Sequence, residues 1–299
     1  MSSYEAAGVS LGKAEAIVER LRAAVASTGG NVGGFAGLYQ LDDERLLAAT
    51  TDGVGTKLVL SRRAGRLFDA GRDLAAHCID DVLTTGADPL FFLDYVAADN
   101  IDLEEVAELV EGAAAVCREA GCAILGGETA ELPGVYREGE LDFAGTCVGL
   151  VRRHELIDGT RCEPGDVVVG LPSSGLHTNG FTLVRRLVGD GDFDADLLLA
   201  PHRLYVEEVR ALRGATDVKA LAHVTGGGIV GNLRRVLPAG VAAEIDWGSW
   251  PRPPVFDWLN EQGVPEEEQR RVFNMGIGMC AVVPEPVELG EWLPIGRLA

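Results

Sequence analysis

The chain is expected to fold as two domains that mix strands and helices, of the α+β or α/β class. Three observations predict this. Short apolar runs alternate with helical periodicity along the whole length. The 299 residues suit one large domain or two ordinary ones. A polar stretch from Arg152 to Asp166, with turn signals at Asp158-Gly159 and Pro164-Gly165, separates the halves. The boundary is therefore placed between an N-terminal domain, residues 1–152, and a C-terminal domain, residues 153–299.

The elements follow in order. Residues 10–28 carry Leu11, Ala14, Ile17, Val18, Leu21 and Val25 at helical spacing behind a Ser10 cap. A glycine-rich segment, 29–39, precedes an apolar strand at 46–50, which runs into TDGVGTK (51–57). A helix is predicted over 69–86 and a strand over 90–97. Asp102 then caps a third helix, and Glu105 three residues on completes a capping box. The apolar run 122–125 delivers the chain into GGETAE (126–131), read as a turn, and 143–151 is a further strand. The second half repeats the pattern. Strand 167–171 enters PSSGLHTNG and a helix from Phe181, and strand 219–224 enters TGGG and a helix over 229–237. Pro251, Pro253 and Pro254 make a rigid corner before another short helix.

Composition narrows the function. Hydrophobic content of 47% supports a sizeable core and opposes disorder. A net charge of −20 opposes nucleic-acid binding, which needs a positive footprint. No stretch has the length of an uncharged membrane span, and the first residues lack a secretory layout, so a cytoplasmic protein is expected. The six cysteines form no CxxC pair and read as reduced, buried thiols, with neither zinc nor a disulfide framework indicated.

Three glycine-rich segments after apolar runs suggest phosphate handling, because glycines let backbone N–H groups approach oxygens while carboxylates hold Mg²⁺. In the first, Asp52 stands beside Gly53 and Gly55 and is followed by Thr56 and Lys57. An Asp-Gly turn is common, but the lysine in a chain with only three lysines suits a phosphoryl group. The segment is not a P-loop. On the second helix Leu74, Ala75, Cys78, Ile79, Val82 and Leu83 share an apolar arc. Asp81 lies at its edge and needs a partner, either a metal ion or an arginine. Asp80 and Asp73 point away from the arc, and Asp80 is expected to be a solvated surface acid. Glu128 follows Gly127 and suits Mg²⁺, with Glu131 either a second ligand or a salt-bridge partner. His177 reads as a phosphate or acid/base group or as a hydrogen-bonded loop residue. His223 either touches ligand or packs, and His154 and His202 receive no role. Thr225, Gly226, Gly227 and Gly228 make either a nest for a monophosphate or a tight crossing.

Taken together the motifs resemble the phosphoribosylformylglycinamidine cyclo-ligase, or AIR synthetase, family. The resemblance spans nearly the whole chain: YEAAGV (4–9), GGFAGLY (33–39), TDGVGTK, LFFLDY (90–95), GGETAELPGVY (126–136), SSGLHTNGF (173–181), LLAPHRLYV (198–206), HVTGGG (223–228) and FNMGIGM (273–279). It implies a mixed N-terminal domain whose sheets associate in a homodimer, and an α/β C-terminal domain. It also implies ATP with Mg²⁺ between the domains. The implied reaction converts formylglycinamidine ribonucleotide and ATP to aminoimidazole ribonucleotide, ADP and phosphate through a phosphorylated formyl amide.

By the same resemblance Asp52, Asp81 and Glu128 hold Mg²⁺, and Lys57 meets the nucleotide phosphates. Gly33, Gly34, Phe35 and Gly37 close over ATP, with Gly53, Gly55, Thr56 and Gly127 beside it. His177, Asn179 and Thr225–Gly228 hold the ribonucleotide, and Lys57, Asp81 and His177 take the catalytic roles. Two departures stand out: Asp80-Asp81 where the family has Asn-Asp, and a C-terminus after Val283 from which most of a helix and the final strand are expected to be trimmed. The rival readings are another member of the superfamily, such as a kinase of a small phosphorylated metabolite, and an inactive nucleotide-binding regulator. The kinase need not carry LPGVY or LLAP, and the regulator should have lost a carboxylate or Lys57.

Overall fold

A computed structural model describes residues 7–8, 11–29 and 34–299. The expected Ser10 cap, the YEAAGV segment save its alanine at 7 and glycine at 8, and Gly33 lie outside them. The first half contains α1 (Leu11–Ala26), β1 (Gly37–Gln40), β2 (Arg45–Gly53), α2 (Lys57–Arg63), α3 (Leu67–Leu83), β3 (Asp88–Ala98), α4 (Leu103–Ala120), β4 (Ala123–Glu131) and β5 (Leu141–Arg152). The second contains β6 (Val167–Pro172), α5 (Phe181–Val188), α6 (Ala195–Leu198), α7 (Val206–Ala215), β7 (Ala220–His223), α8 (Gly228–Arg234) and β8 (Ala243–Ile245). It ends with α9 (Val255–Glu261), α10 (Glu266–Val272), β9 (Ile277–Val283) and β10 (Leu293–Leu298).

Each half builds one sheet of five strands among the described residues. The first has the order β1-β2-β5-β3-β4, and only the β3–β4 pair is parallel. The second has the order β7-β9-β6-β10-β8 and is antiparallel throughout, so it takes the α+β form of the two classes expected. The final strand is not lost. β10 lies between β6 and β8, its neighbours on either side in the sheet, and its Ile295 and Leu298 are buried.

Two local expectations change. GGETAE is not a turn but the second half of β4, because β3 offers a registered parallel partner from Leu93 opposite Gly126 to Ala98 opposite Glu131. Gly127 is needed there: a Cβ would lie 2.4 Å from the Asp94 carboxylate. The capping box is only half formed. Asp102 accepts from the N–H groups of Glu104 and Glu105, but the Glu105 carboxylate turns to Arg62 at 2.6 Å. A guanidinium outcompetes a single backbone N–H for a carboxylate.

The inner face of the first sheet is covered by α3 and α4. These helices touch backbone to backbone: a Cβ on Gly71 would lie 1.9 Å from the Leu109 carbonyl, and one on Gly112 equally close to that of Phe68. The outer face carries Leu93, Tyr95 and Leu125 exposed, and Tyr39 is exposed on β1 at the opposite edge of the sheet. On α1, Ile17 and Leu21 are exposed too.

Helix α3 positions the site. Its apolar arc, Leu74 to Leu83, packs on the sheet as expected, yet 14 of its 17 residues are buried. The second half of the chain covers the other side, so polar residues that would face water on a surface helix face protein instead.

Candidate active site

The side of α3 turned to the second half carries Asp73 and Asp80, about two helical turns apart and hence on one face. Both are fully buried, which corrects the expectation that Asp80 is a solvated surface acid. Asp73 accepts from the N–H of His202 at 2.7 Å and Asp80 from that of Tyr205 at 3.0 Å. Burial pushes both carboxyls above their usual range, and for Asp73 the Lys57 ammonium opposes the shift. Lys57 is fully buried, with Nζ 2.7 Å from Asp73 Oδ2 and donating to the Ala200 carbonyl at 3.1 Å. Its charge is engaged in joining the halves.

Asp52 and Asp81 do come together. Asp52 ends β2, Asp81 sits in the last turn of α3, and one donor atom from each lies within 4.8 Å of the other and of a His77 ring nitrogen. Asp81 Oδ1 is 2.7 Å from His223 Nδ1, and Asp52 Oδ2 is 3.6 Å from His77 Nε2. Burial raises the Asp52 carboxyl to about 6, with His77 opposing and Asp81 adding to the shift. Burial raises Asp81 also, against His77 and Arg235. Arg235 was not singled out by its place in the sequence. It follows α8, donates to the Gly34 carbonyl at 2.8 Å, stacks 4.0 Å over the Phe35 ring, and lies close enough to both carboxylates to act on their charge.

Four of the five histidines gather beside these carboxylates. His177 and His202 stack at 4.0 Å, and His202 and His223 meet Nε2 to Nε2 at 3.0 Å. Burial, chiefly, holds all four rings below the ordinary histidine range, His223 at about 3, so they are neutral near pH 7. His177 is fully buried in the left-handed region at φ 58°, and its Nδ1 makes no hydrogen bond within the protein. His202, given no role from sequence, is central to the cluster.

The two loops expected to hold a ribonucleotide are neighbours. A Cβ on Gly226 would lie 3.6 Å from Asn179 Oδ1, and the Asn179 Nδ2 is buried without a partner. Asn232, not anticipated, ties the TGGG turn by donating to the carbonyls of Thr225, Gly226 and Gly228. Gly228 has φ 65°, and a Cβ there would lie 2.0 Å from the Arg270 carbonyl, so no side chain fits. Gly34, Phe35 and Gly37 line a cavity of about 270 Å³ with Arg235, whereas Gly55 and Thr56 line a separate one of about 540 Å³ with Arg62 and Arg185.

Glu128 does not join Asp52 and Asp81. Asp52, Gly145, Asp94 and Gly127 form one row across the sheet. Glu128 is therefore about 14 Å away, three strand spacings, and its side chain lies on the opposite, outer face with Tyr95.

Comparison with known proteins places this geometry. The family described as AIR synthase related protein matches through its N-terminal domain over residues 33–151 and through its C-terminal domain over 163–293. The phosphoribosylformylglycinamidine cyclo-ligase of Myxococcus xanthus is 47% identical, across 94% of this chain and 88% of its own. The enzyme of that name from Synechococcus sp. is 46% identical with the same coverage. Among solved structures, AaThiL in complex with AMPPCP and TMP superposes with a TM-score of 0.68 at 17% identity, covering 96% of this chain and 89% of that one.

Replacing Lys57 by Met leaves the Asp73 charge buried without its cation. The expected cost is about 3–5 kcal/mol, read as a lower urea midpoint, with part recovered when Asp73→Asn is added. A midpoint shift worth under about 1 kcal/mol would show that the pair contributes little to stability.

Proposed function

The chain belongs to the AIR synthase-related family and to its phosphoribosylformylglycinamidine cyclo-ligase branch, and from that membership we infer how its own residues perform the reaction. The protein is a ligase of purine biosynthesis that uses ATP to close formylglycinamidine ribonucleotide into aminoimidazole ribonucleotide. The observation that carries the residue assignment is the meeting of Asp52 and Asp81, from different elements, opposite Arg235 at the seam between the halves.

Mg²⁺ fits this site. Two carboxylates raised by burial favour a cation that restores their ionised form, and hard oxygen donors are what Mg²⁺ takes. Asp52 and Asp81 would hold it, and when bound it supplies charge neutralisation to the phosphates of ATP. Arg235 adds a fixed cation on the same side, and the cavity at Gly34, Phe35 and Gly37 takes part of the nucleotide. AaThiL, which shares the fold, is complexed with AMPPCP, which suits the reading that this fold takes a nucleotide. Gly33 belongs to this loop by sequence alone, and Gly53, Gly55, Thr56 and Gly127 stay assigned to the nucleotide on the same ground.

Asn179 and the turn Thr225–Gly228 hold the ribonucleotide, with the buried Asn179 amide as a donor awaiting a partner. Phosphorylation of the formyl oxygen turns a poor leaving group into phosphate, after which the amidine nitrogen closes the ring. His177 is neutral, and because its Nε2 accepts from the Ser174 N–H its free Nδ1 carries the proton, so its place in this scheme is that of a hydrogen-bond donor. Lys57 acts on phosphate only by leaving Asp73 and the Ala200 carbonyl of the second half, which it holds in the ground state.

A homodimer in the cytoplasm completes the reading. The exposed apolar face bearing Leu93, Tyr95 and Leu125 is the surface we assign to the dimer. Glu128 belongs to that face, so a metal role for it requires the second chain. No helix of the described residues is long and apolar enough to cross a membrane.

Purified protein with Mg-ATP should consume formylglycinamidine ribonucleotide and form one ADP per imidazole; absence of product above background would remove the assignment. Asp81→Asn should lower turnover by about a hundredfold or more with an unchanged circular dichroism spectrum, and near-normal turnover would reject its role. Because Asp52 titrates at about 6, protons compete for the site below that pH. Apparent Mg²⁺ affinity should then fall by about tenfold per pH unit below 6 and level off above 7, measured by calorimetry on the ATP-free protein. Tyr95→Lys with Leu93→Asp should convert the dimer to a monomer by sedimentation, whereas an unchanged sedimentation coefficient would place the interface elsewhere.

A further inference from the structure

We propose that His77, His202 and His223 form a second metal site, for a borderline transition ion of the Zn²⁺ class, which clamps helix α3 to the second half of the chain. One ring nitrogen from each lies within 4.8 Å of the others, and all three residues are buried. The three come from α3, from the segment before α7, and from β7. An ion at their centre would therefore bind both halves at once. The site does not depend on the cyclo-ligase reading, because it rests on the placement of these side chains.

Three features distinguish this cluster from ordinary packed histidines. First, the far nitrogen of each ring is already held by an oxygen. His223 Nδ1 is 2.7 Å from Asp81, His202 Nδ1 is 2.6 Å from the Thr178 hydroxyl, and His77 Nδ1 is 3.1 Å from the same hydroxyl. That is the arrangement that orients imidazoles on a metal; the Nε2 atoms of His202 and His223 then face each other, sharing a hydrogen bond that an ion would replace, while His77 Nε2 lies 3.6 Å from Asp52 Oδ2. Second, His202 Nε2 and His223 Nε2 are 3.0 Å apart, near the roughly 3.3 Å edge that a tetrahedron with Zn–N of about 2.0 Å requires.

Third, an unpaired carboxylate oxygen lies beside His202. Asp80 Oδ1 is fixed by the Tyr205 N–H, while Oδ2 makes no hydrogen bond within the protein and lies 3.5 Å from His202 Nε2. A dication is the partner such an oxygen lacks. The nearest cations are engaged: Lys57 with Asp73, and Arg203 with Glu208 and Glu291. Imidazole nitrogen also separates this site from the oxygen donors of Asp52 and Asp81, since Mg²⁺ prefers the latter and Zn²⁺ or Co²⁺ the former.

The test uses the full-length protein stripped with chelator and then titrated with Zn²⁺ or Co²⁺ alone, in millimolar Mg²⁺. One Zn²⁺ per chain should survive dialysis, and Co²⁺ should give the visible absorption of a four-coordinate nitrogen-ligated ion. His202→Gln should weaken Zn²⁺ affinity by about a hundredfold, whereas His154→Gln should leave it unchanged. X-ray absorption on the wild-type zinc protein, which needs no variant, should show at least two imidazole shells at about 2.0 Å. Less than about a tenth of an equivalent of bound zinc, affinity unaltered in His202→Gln, or a first shell of oxygen alone would overturn the proposal.

Discussion

The structure depends on a helix that has no solvent side. Helix α3 lies between the first sheet and the second half of the chain, so every polar residue on it must find a partner inside the protein. Asp73 and Asp80 find backbone N–H groups of His202 and Tyr205, and Lys57 closes on Asp73. Carboxylates that would cost several kcal/mol if left alone become the fastening between the halves. The segment from Ala200 to Tyr205 is held to the helix by these contacts more than by any strand pairing.

That fastening explains where the chemistry sits. Asp81 is one residue beyond Asp80 and turns toward the end of β2, where Asp52 waits at the sheet margin. Glycines make the approach possible. Gly145 lies under the Phe92 ring, and Gly278 lies against the Tyr205 hydroxyl and the His177 ring, closer than any Cβ would permit. The seam is thus tightly packed and still lined with titratable groups, a combination that lets a few fixed charges act strongly on a bound phosphate. Its carboxylates are raised by burial, so they are poised to gain from a cation.

The first sheet has an asymmetric character that follows from the same arrangement. Its inner face is saturated by α3 and α4, and its outer face keeps large apolar side chains in the open. Alternation along each strand decides which face a residue serves. That single rule sends Asp52 and Asp94 inward and Glu128 outward, although all three follow apolar runs and look equivalent as text.

Sequence by itself determined several of the helices and strands, the apolar arc of α3 and the family. Each of these is written in local spacing: Leu74, Ala75, Cys78, Ile79, Val82 and Leu83 repeat at the helical period, and the motif runs are contiguous. Tertiary structure alone decided what surrounds them. Asp80 looked solvated because a helical wheel shows one neighbour, the sheet, and not the second layer on the far side. GGETAE looked like a turn because its hydrogen-bonding partner, β3, is remote in sequence. His77, His202 and His223 carried no ligand spacing because they converge only when the two halves close on α3. Local periodicity encodes which residues are apolar and which bend, whereas long-range closure sets what each polar group finally faces.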